Sequence, residues 1–185
     1  MSRKMSFLAL LTIVAVNFSL FIFYTTGNYN YLGGGPYHSV ILSPKKVLQE
    51  NLYTWDDTFN LGGSRVATHE FLLISALFVV LRKILDPKSA YFFYKFLTTT
   101  IAGISMFYFS KLVFKESRYA LNTQMSSFLS AIIYMFNPLT AVWVASHTEL
   151  MVPYALTPAI LYFLILSVAK RSFLNTFLAS TLLSI

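Results

Sequence analysis

Four stretches of this chain are too long and too apolar for the interior of a small soluble domain. They run over about 7–24, 91–113, 126–146 and 150–169, each with few interior charges. About 20 apolar residues in a helix cross the roughly 30 Å hydrocarbon core of a bilayer. Inside that core the backbone must satisfy itself, which leaves helices or closed barrels. The expectation is therefore an all-α, polytopic integral membrane protein. The composition agrees: 11% of residues are charged and 56% hydrophobic, where a soluble domain carries about 25% charged.

Orientation follows from the basic residues. Arg3-Lys4 precedes the first run and puts the N-terminus in the cytoplasm of a plasma-membrane protein, with the next loop outside. The first run ends in Phe21-Ile22-Phe23-Tyr24-Thr25-Thr26 without a small-residue cleavage site. It reads as an uncleaved span rather than a signal peptide. The segment 71–85 is the hard case. At 100° per residue, Thr68, Ser75, Arg82, Lys83 and Asp86 fall in one sector, with Leu72 and Val79 intruding. That pattern predicts a helix lying on the outer membrane surface. Lys111, Lys115 and Arg118, and then Lys170-Arg171, become cytoplasmic on this topology. Every acidic residue except Glu116 then lies outside.

The net charge of +7 sits in short clusters beside apolar runs. That suits anchors facing anionic lipid and not a face reading nucleic acid. The chain has no cysteine. Disulfides, thiolate metal sites and cysteine nucleophiles are excluded, and any metal must be held by carboxylates and histidine.

The long outer loop, 25–90, is where chemistry is expected. Its Gly33-Gly34-Gly35-Pro36 lacks the Lys-Ser/Thr of a P-loop and reads as a turn. Ser43-Pro44 opens a short helix, with proline in its first turn. Then come Tyr53-Thr54-Trp55-Asp56-Asp57 and, after Thr58-Phe59-Asn60-Leu61, the pair Gly62-Gly63. On the predicted topology the outer turn His147-Thr148-Glu149 meets the same aqueous surface. Asn137-Pro138, Pro153 and Pro158 are expected to kink the third and fourth spans. A last apolar run, 173–185, is too short to cross, and the chain is expected to be the N-terminal portion of a longer protein.

This ordered set resembles the N-terminal end of the GT-C-fold membrane glycosyltransferases, most of all their arabinofuranosyltransferase and YfhO-like branches. The carriers are one helix, a long outer loop with Trp55-Asp56-Asp57 and a glycine pair, a surface helix, an Asn-Pro at 137–138, and Pro-Tyr-Ala-Leu-Thr-Pro from Pro153 to Pro158. The resemblance covers nearly the whole chain by layout and only these short motifs by residue. It implies a GT-C-like helical bundle that transfers a sugar from a polyprenyl-phosphate donor to a glycan or protein acceptor outside the cytoplasm. Asp56 or Asp57 would be the general base. Glu149, with His147 beside it, would serve the metal or the donor phosphate.

The chemistry asks for such groups. A carboxylate within hydrogen-bond reach accepts the acceptor's hydroxyl proton. Positive charge must meet the leaving phosphate, from a divalent cation such as Mg or Mn on Asp56, Asp57 and Glu149, or from Arg65 or His69. Trp55 and Tyr53 can stack on a sugar. Each residue also has a plain role. Asp-Asp pairs sit in solvated turns and helix N-caps, tryptophan anchors at the interface, and Lys95 is expected to snorkel to the surface. The competing function is a non-catalytic transporter or an assembly partner in envelope polysaccharide synthesis.

Overall fold

The computed structural model describes residues 3–26, 41–51, 55–56, 63–64, 69–116, 122–137 and 151–183. The helices are α1 (Arg3–Thr26), α2 (Pro44–Asn51), α3 (His69–Leu81), α4 (Pro87–Glu116), α5 (Thr123–Phe136), α6 (Met151–Lys170) and α7 (Phe173–Leu183), with β1 (Trp55–Asp56) and β2 (Gly63–Ser64) between α2 and α3. Among the described residues, three helices are long and apolar enough to cross a membrane, over Ser6–Phe23, Pro87–Lys115 and Met151–Lys170. The chain forms two compact units, Met1–Phe23 with Lys95–Ile185, and Tyr24–Tyr94, and the boundary falls inside α4.

The first unit is a bundle. Ile13 of α1, Phe107 of α4, and Ala131 and Met135 of α5 form its buried core, with Ala9, Leu10, Phe128 and Ile132 packed around them. Gly103 permits the close approach: a Cβ there would lie 2.9 Å from Met135 Cγ and 3.1 Å from Ile13 Cγ2. Small residues at such crossings are the usual means of packing helices in lipid. The one amide inside α1, Asn17, is 5% exposed. Its Nδ2 donates to the Phe96 carbonyl at 2.9 Å and reaches the Thr99 and Thr100 hydroxyls, each at 2.7 Å.

Contacts fix the helix directions. Lys111 Nζ donates to Ser6 Oγ at 2.8 Å, while Asn17 meets Phe96, so α1 and α4 are antiparallel. α5 runs against α4, since Met135 lies at Gly103 and Ala131 shares a core with Phe107. α6 runs with α4: Ser105 Oγ donates to the Ala155 carbonyl at 2.8 Å, and the Tyr108 and Tyr162 rings meet 6.4 Å apart. Arg3 and Lys4 of α1, Lys111 and Lys115 of α4 and Lys170 of α6 therefore gather at one end of this unit.

Three expectations change here. The third span was predicted to continue to 146, with a kink at Asn137-Pro138. Instead α5 stops at Phe136, and Asn137 is extended (φ −69°, ψ 160°). Proline disfavours helix in the residue before it, so Pro138 terminates α5. Pro153 falls in the first turn of α6, where no N–H is missed, and only Pro158 lies in the helix interior. Lys95, expected to snorkel, is only 5% exposed.

A tight turn links α6 to α7. Ser172 N–H donates to the Ser167 carbonyl at 3.3 Å, with Arg171 left-handed at φ 48°. This is the Schellman arrangement, with arginine where glycine is favoured.

In the second unit, α2 packs against α3. Pro44 starts α2 as expected, and Val47 N–H closes the first turn on the Ser43 carbonyl at 3.1 Å. α3 has 13 residues and rises about 20 Å, short of a crossing. The predicted water-facing sector does not form on it. The helix ends at Leu81, so Arg82, Lys83 and Asp86 belong to the following turn and the 100° projection stops applying to them. Ser75 is fully buried, while Val80 is 56% exposed. Asp86 then starts α4, its Oδ1 accepting from Lys88 N–H at 2.9 Å and Ser89 N–H at 3.1 Å. Pro87 follows at the first helical position, where its missing N–H costs nothing.

Candidate functional site

The acidic motif lies in a two-stranded ladder. β1 and β2 pair antiparallel, with Trp55 opposite Ser64 and Asp56 opposite Gly63. The two strands turn the chain back on itself, so Asp56 leads directly into the connecting residues 57–62. The glycine half of the motif belongs to this pairing, since Gly63 is the residue that faces Asp56. His69 is the first residue of α3. For Trp55, Asp56 and His69 the structure describes the backbone. Asp57, Arg65, His147 and Glu149 lie outside the described residues. Asp56 belongs to the second unit, and His147 and Glu149 to the first by position in the chain. Among the described residues, no three His, Asp or Glu residues come together in a metal-binding group.

The two helices flanking His147 and Glu149 in sequence are joined by a cluster that the motif search missed. Pro138 has no N–H, so the Tyr134 carbonyl loses its helical donor. Pro158 does the same to the Tyr154 carbonyl. Each tyrosine repairs the other's loss: Tyr134 Oη donates to the Tyr154 carbonyl at 2.9 Å, and Tyr154 Oη to the Tyr134 carbonyl at 2.6 Å. The two rings stack with centroids 4.2 Å apart and planes 4° apart. Asn137 Nδ2 bridges the pair, reaching the Tyr134 carbonyl at 2.9 Å and Tyr154 Oη at 2.8 Å. The sequence signal was present as Tyr-x-x-x-Pro twice, at 134–138 and 154–158.

This clasp ties the C-terminal end of α5 to the N-terminal part of α6. From the helix directions, that end is opposite the one carrying the basic residues. A second polar group the motifs did not single out is Asn17 with Thr99 and Thr100, inside the spanning segments. No family model, no curated protein and no solved structure matches the chain.

Proposed function

We propose that this chain acts as a membrane glycosyltransferase of the GT-C type, moving a sugar from a polyprenyl-phosphate donor to a glycan or protein acceptor on the extracytoplasmic side. The observation that carries the proposal is the ladder at Trp55–Asp56. An acid pair in plain solvated coil needs no partner strand, whereas here the chain folds back to set Asp56 against Gly63. Helix direction adds support. The link containing His147 and Glu149 leaves α5 and enters α6 at the end away from the basic clusters, as an outer loop does under the positive-inside rule.

In this proposal Asp56 or Asp57 takes the proton from the acceptor hydroxyl. Glu149 and His147, with Arg65 or His69, stabilise the leaving lipid phosphate. Trp55 stacks on the sugar. A divalent cation on Asp56 and Asp57 would relieve the repulsion between these adjacent carboxylates. Asp56→Asn with Asp57→Asn tests the assignment. Loss of glycan product at normal protein level supports it, and unchanged product sinks it. General-base loss costs about 10²–10⁴-fold, well above assay scatter.

One observation favours a second proposal, a transporter or non-catalytic assembly partner. Such proteins place polar and ionisable groups inside the membrane, and Asn17, Thr99 and buried Lys95 lie within the spanning helices. Lys95→Met separates the two. It would abolish function under the transport proposal and leave sugar transfer within a few-fold under the enzyme proposal.

A further inference from the structure

We infer that the end of α6 is a binding site for an anionic phospholipid. The outer face of α6 carries a shallow apolar groove of about 390 Å³ lined by Leu164, Ile165, Val168 and Ala169. The spacing i, i+1, i+4, i+5 places these on one helical stripe. The groove is open to the surroundings: Leu164 is 40% exposed and Val168 82%. It runs about 8 Å along the axis and stops at Lys170 and Arg171.

Both of these cations are exposed, and neither side chain has a hydrogen bond or ion pair among the described residues. Arg171 occupies the left-handed position of the turn, which glycine fills at lower cost, so the strain holds a guanidinium where a helix cap alone would not need one. Arg171 follows Val168 by three residues, so exposed positive charge lies just past the end of the apolar stripe, and this fits one amphiphile of the bilayer: a phosphate headgroup with an acyl chain beneath it. The acyl chain leaves one apolar medium for another and gains only packing. The headgroup charge therefore carries the preference, which makes the site selective for phosphatidylglycerol over zwitterionic phosphatidylcholine.

Native mass spectrometry of the full chain, delipidated in micelles and titrated with each lipid, tests this. Wild type should retain phosphatidylglycerol well above phosphatidylcholine. Lys170→Gln with Arg171→Gln should weaken phosphatidylglycerol binding about thirty-fold. Lys4→Gln with Lys115→Gln removes the same charge from the same end without touching the groove, and should leave the preference intact. Equal retention of the two lipids by wild type overturns the site, as does equal loss in the two double variants. Soluble glycerol phosphate competing as well as the lipid would show that the groove plays no part, and would overturn it too.

Discussion

Tyr134 and Tyr154 are not equivalent, although their hydroxyls exchange places. If Tyr134 becomes Phe, the Tyr154 carbonyl loses its Tyr134 donor, and Pro158 supplies none. If Tyr154 becomes Phe, the Tyr134 carbonyl keeps Asn137 Nδ2 at 2.9 Å. Losing one such hydrogen bond costs about 0.5–1.5 kcal/mol. Tyr134→Phe should therefore destabilise by about that much, and Tyr154→Phe by less. Pro158→Ala restores an N–H four residues after Tyr154, so Tyr134→Phe should cost little in that background. Unfolding in mixed micelles measures all three, and a reversed order for the two tyrosines would refute the clasp. Asn17 offers a contrast: its partners Thr99 and Thr100 are hydroxyls on a helix, and Thr99 already donates to the Lys95 carbonyl at 2.7 Å. Asp86 gives the scale's pH effect. The Ser89 hydroxyl and then the Ser89 N–H hold its carboxyl below the usual carboxylate range. A lowered folded value means the cap stabilises fully above the unfolded pKa, near ~3.9, and is lost as pH falls through the folded one. Stability measured below pH 5 should fall with acid in wild type and fall less in Asp86→Asn.

At the scale of the element, Gly103 shows what a crossing demands. Alanine there would crowd Met135 and Ile13. The Met135 side chain is unbranched and can turn aside, and alanine also recovers up to about 1 kcal/mol of helix propensity. Gly103→Ala should thus be close to neutral. Gly103→Val adds two methyl groups toward the β-branched, stiff Ile13 and should cost about 1–3 kcal/mol, read as a lower unfolding midpoint. Equal effects of the two would mean that α1, α4 and α5 do not meet at this residue. The same scale explains what the amino-acid order revealed. Long apolar stretches are local sums, so α1, α4 and α6 were legible as spanning helices, and Ser43-Pro44 announced α2. The end of α5 was misjudged because residues 141–145 remain apolar, and hydrophobicity does not register the backbone clash that Pro138 imposes on Asn137. The polar sector of α3 failed for a related reason: a helical projection counted residues that lie past Leu81. The clasp was harder still, since its spacing repeats within each helix while its bonds run between them. Of the candidate site, the Trp-Asp-Asp and glycine motif was legible but its pairing was not, since a ladder of two residues per strand leaves no period-2 pattern. The rest of the candidate site, Asp57, Arg65, His147 and Glu149, lies outside the described residues.

At the scale of the whole molecule, the gathering of positive charge at one end decides how the chain should thread a membrane. Arg3, Lys4, Lys111, Lys115 and Lys170 reach that end only because α1 and α5 oppose α4 and α6. The arrangement rests on particular contacts, Lys111 with Ser6 and Ser105 with Ala155. The positive-inside rule predicts that this end faces the cytoplasm. If so, the two termini of α4 must face opposite compartments, since its 29 apolar-rich residues rise about 44 Å against a core of about 30 Å. The excess is taken up by tilt or by turns projecting into water. A chain without cysteine permits a direct test by single substitutions. Lys115→Cys and Lys170→Cys should be shielded in intact cells and react with a membrane-impermeant maleimide only after the membrane is opened. Lys88→Cys should react in intact cells. Reaction of Lys88→Cys and Lys115→Cys from the same side would mean that α4 does not cross. Reaction of all three with reversed sidedness would keep the bundle and invert the protein, placing the link with His147 and Glu149 in the cytoplasm. A donor displayed on the outer leaflet would then be out of its reach, and the glycosyltransferase proposal would fall with the orientation.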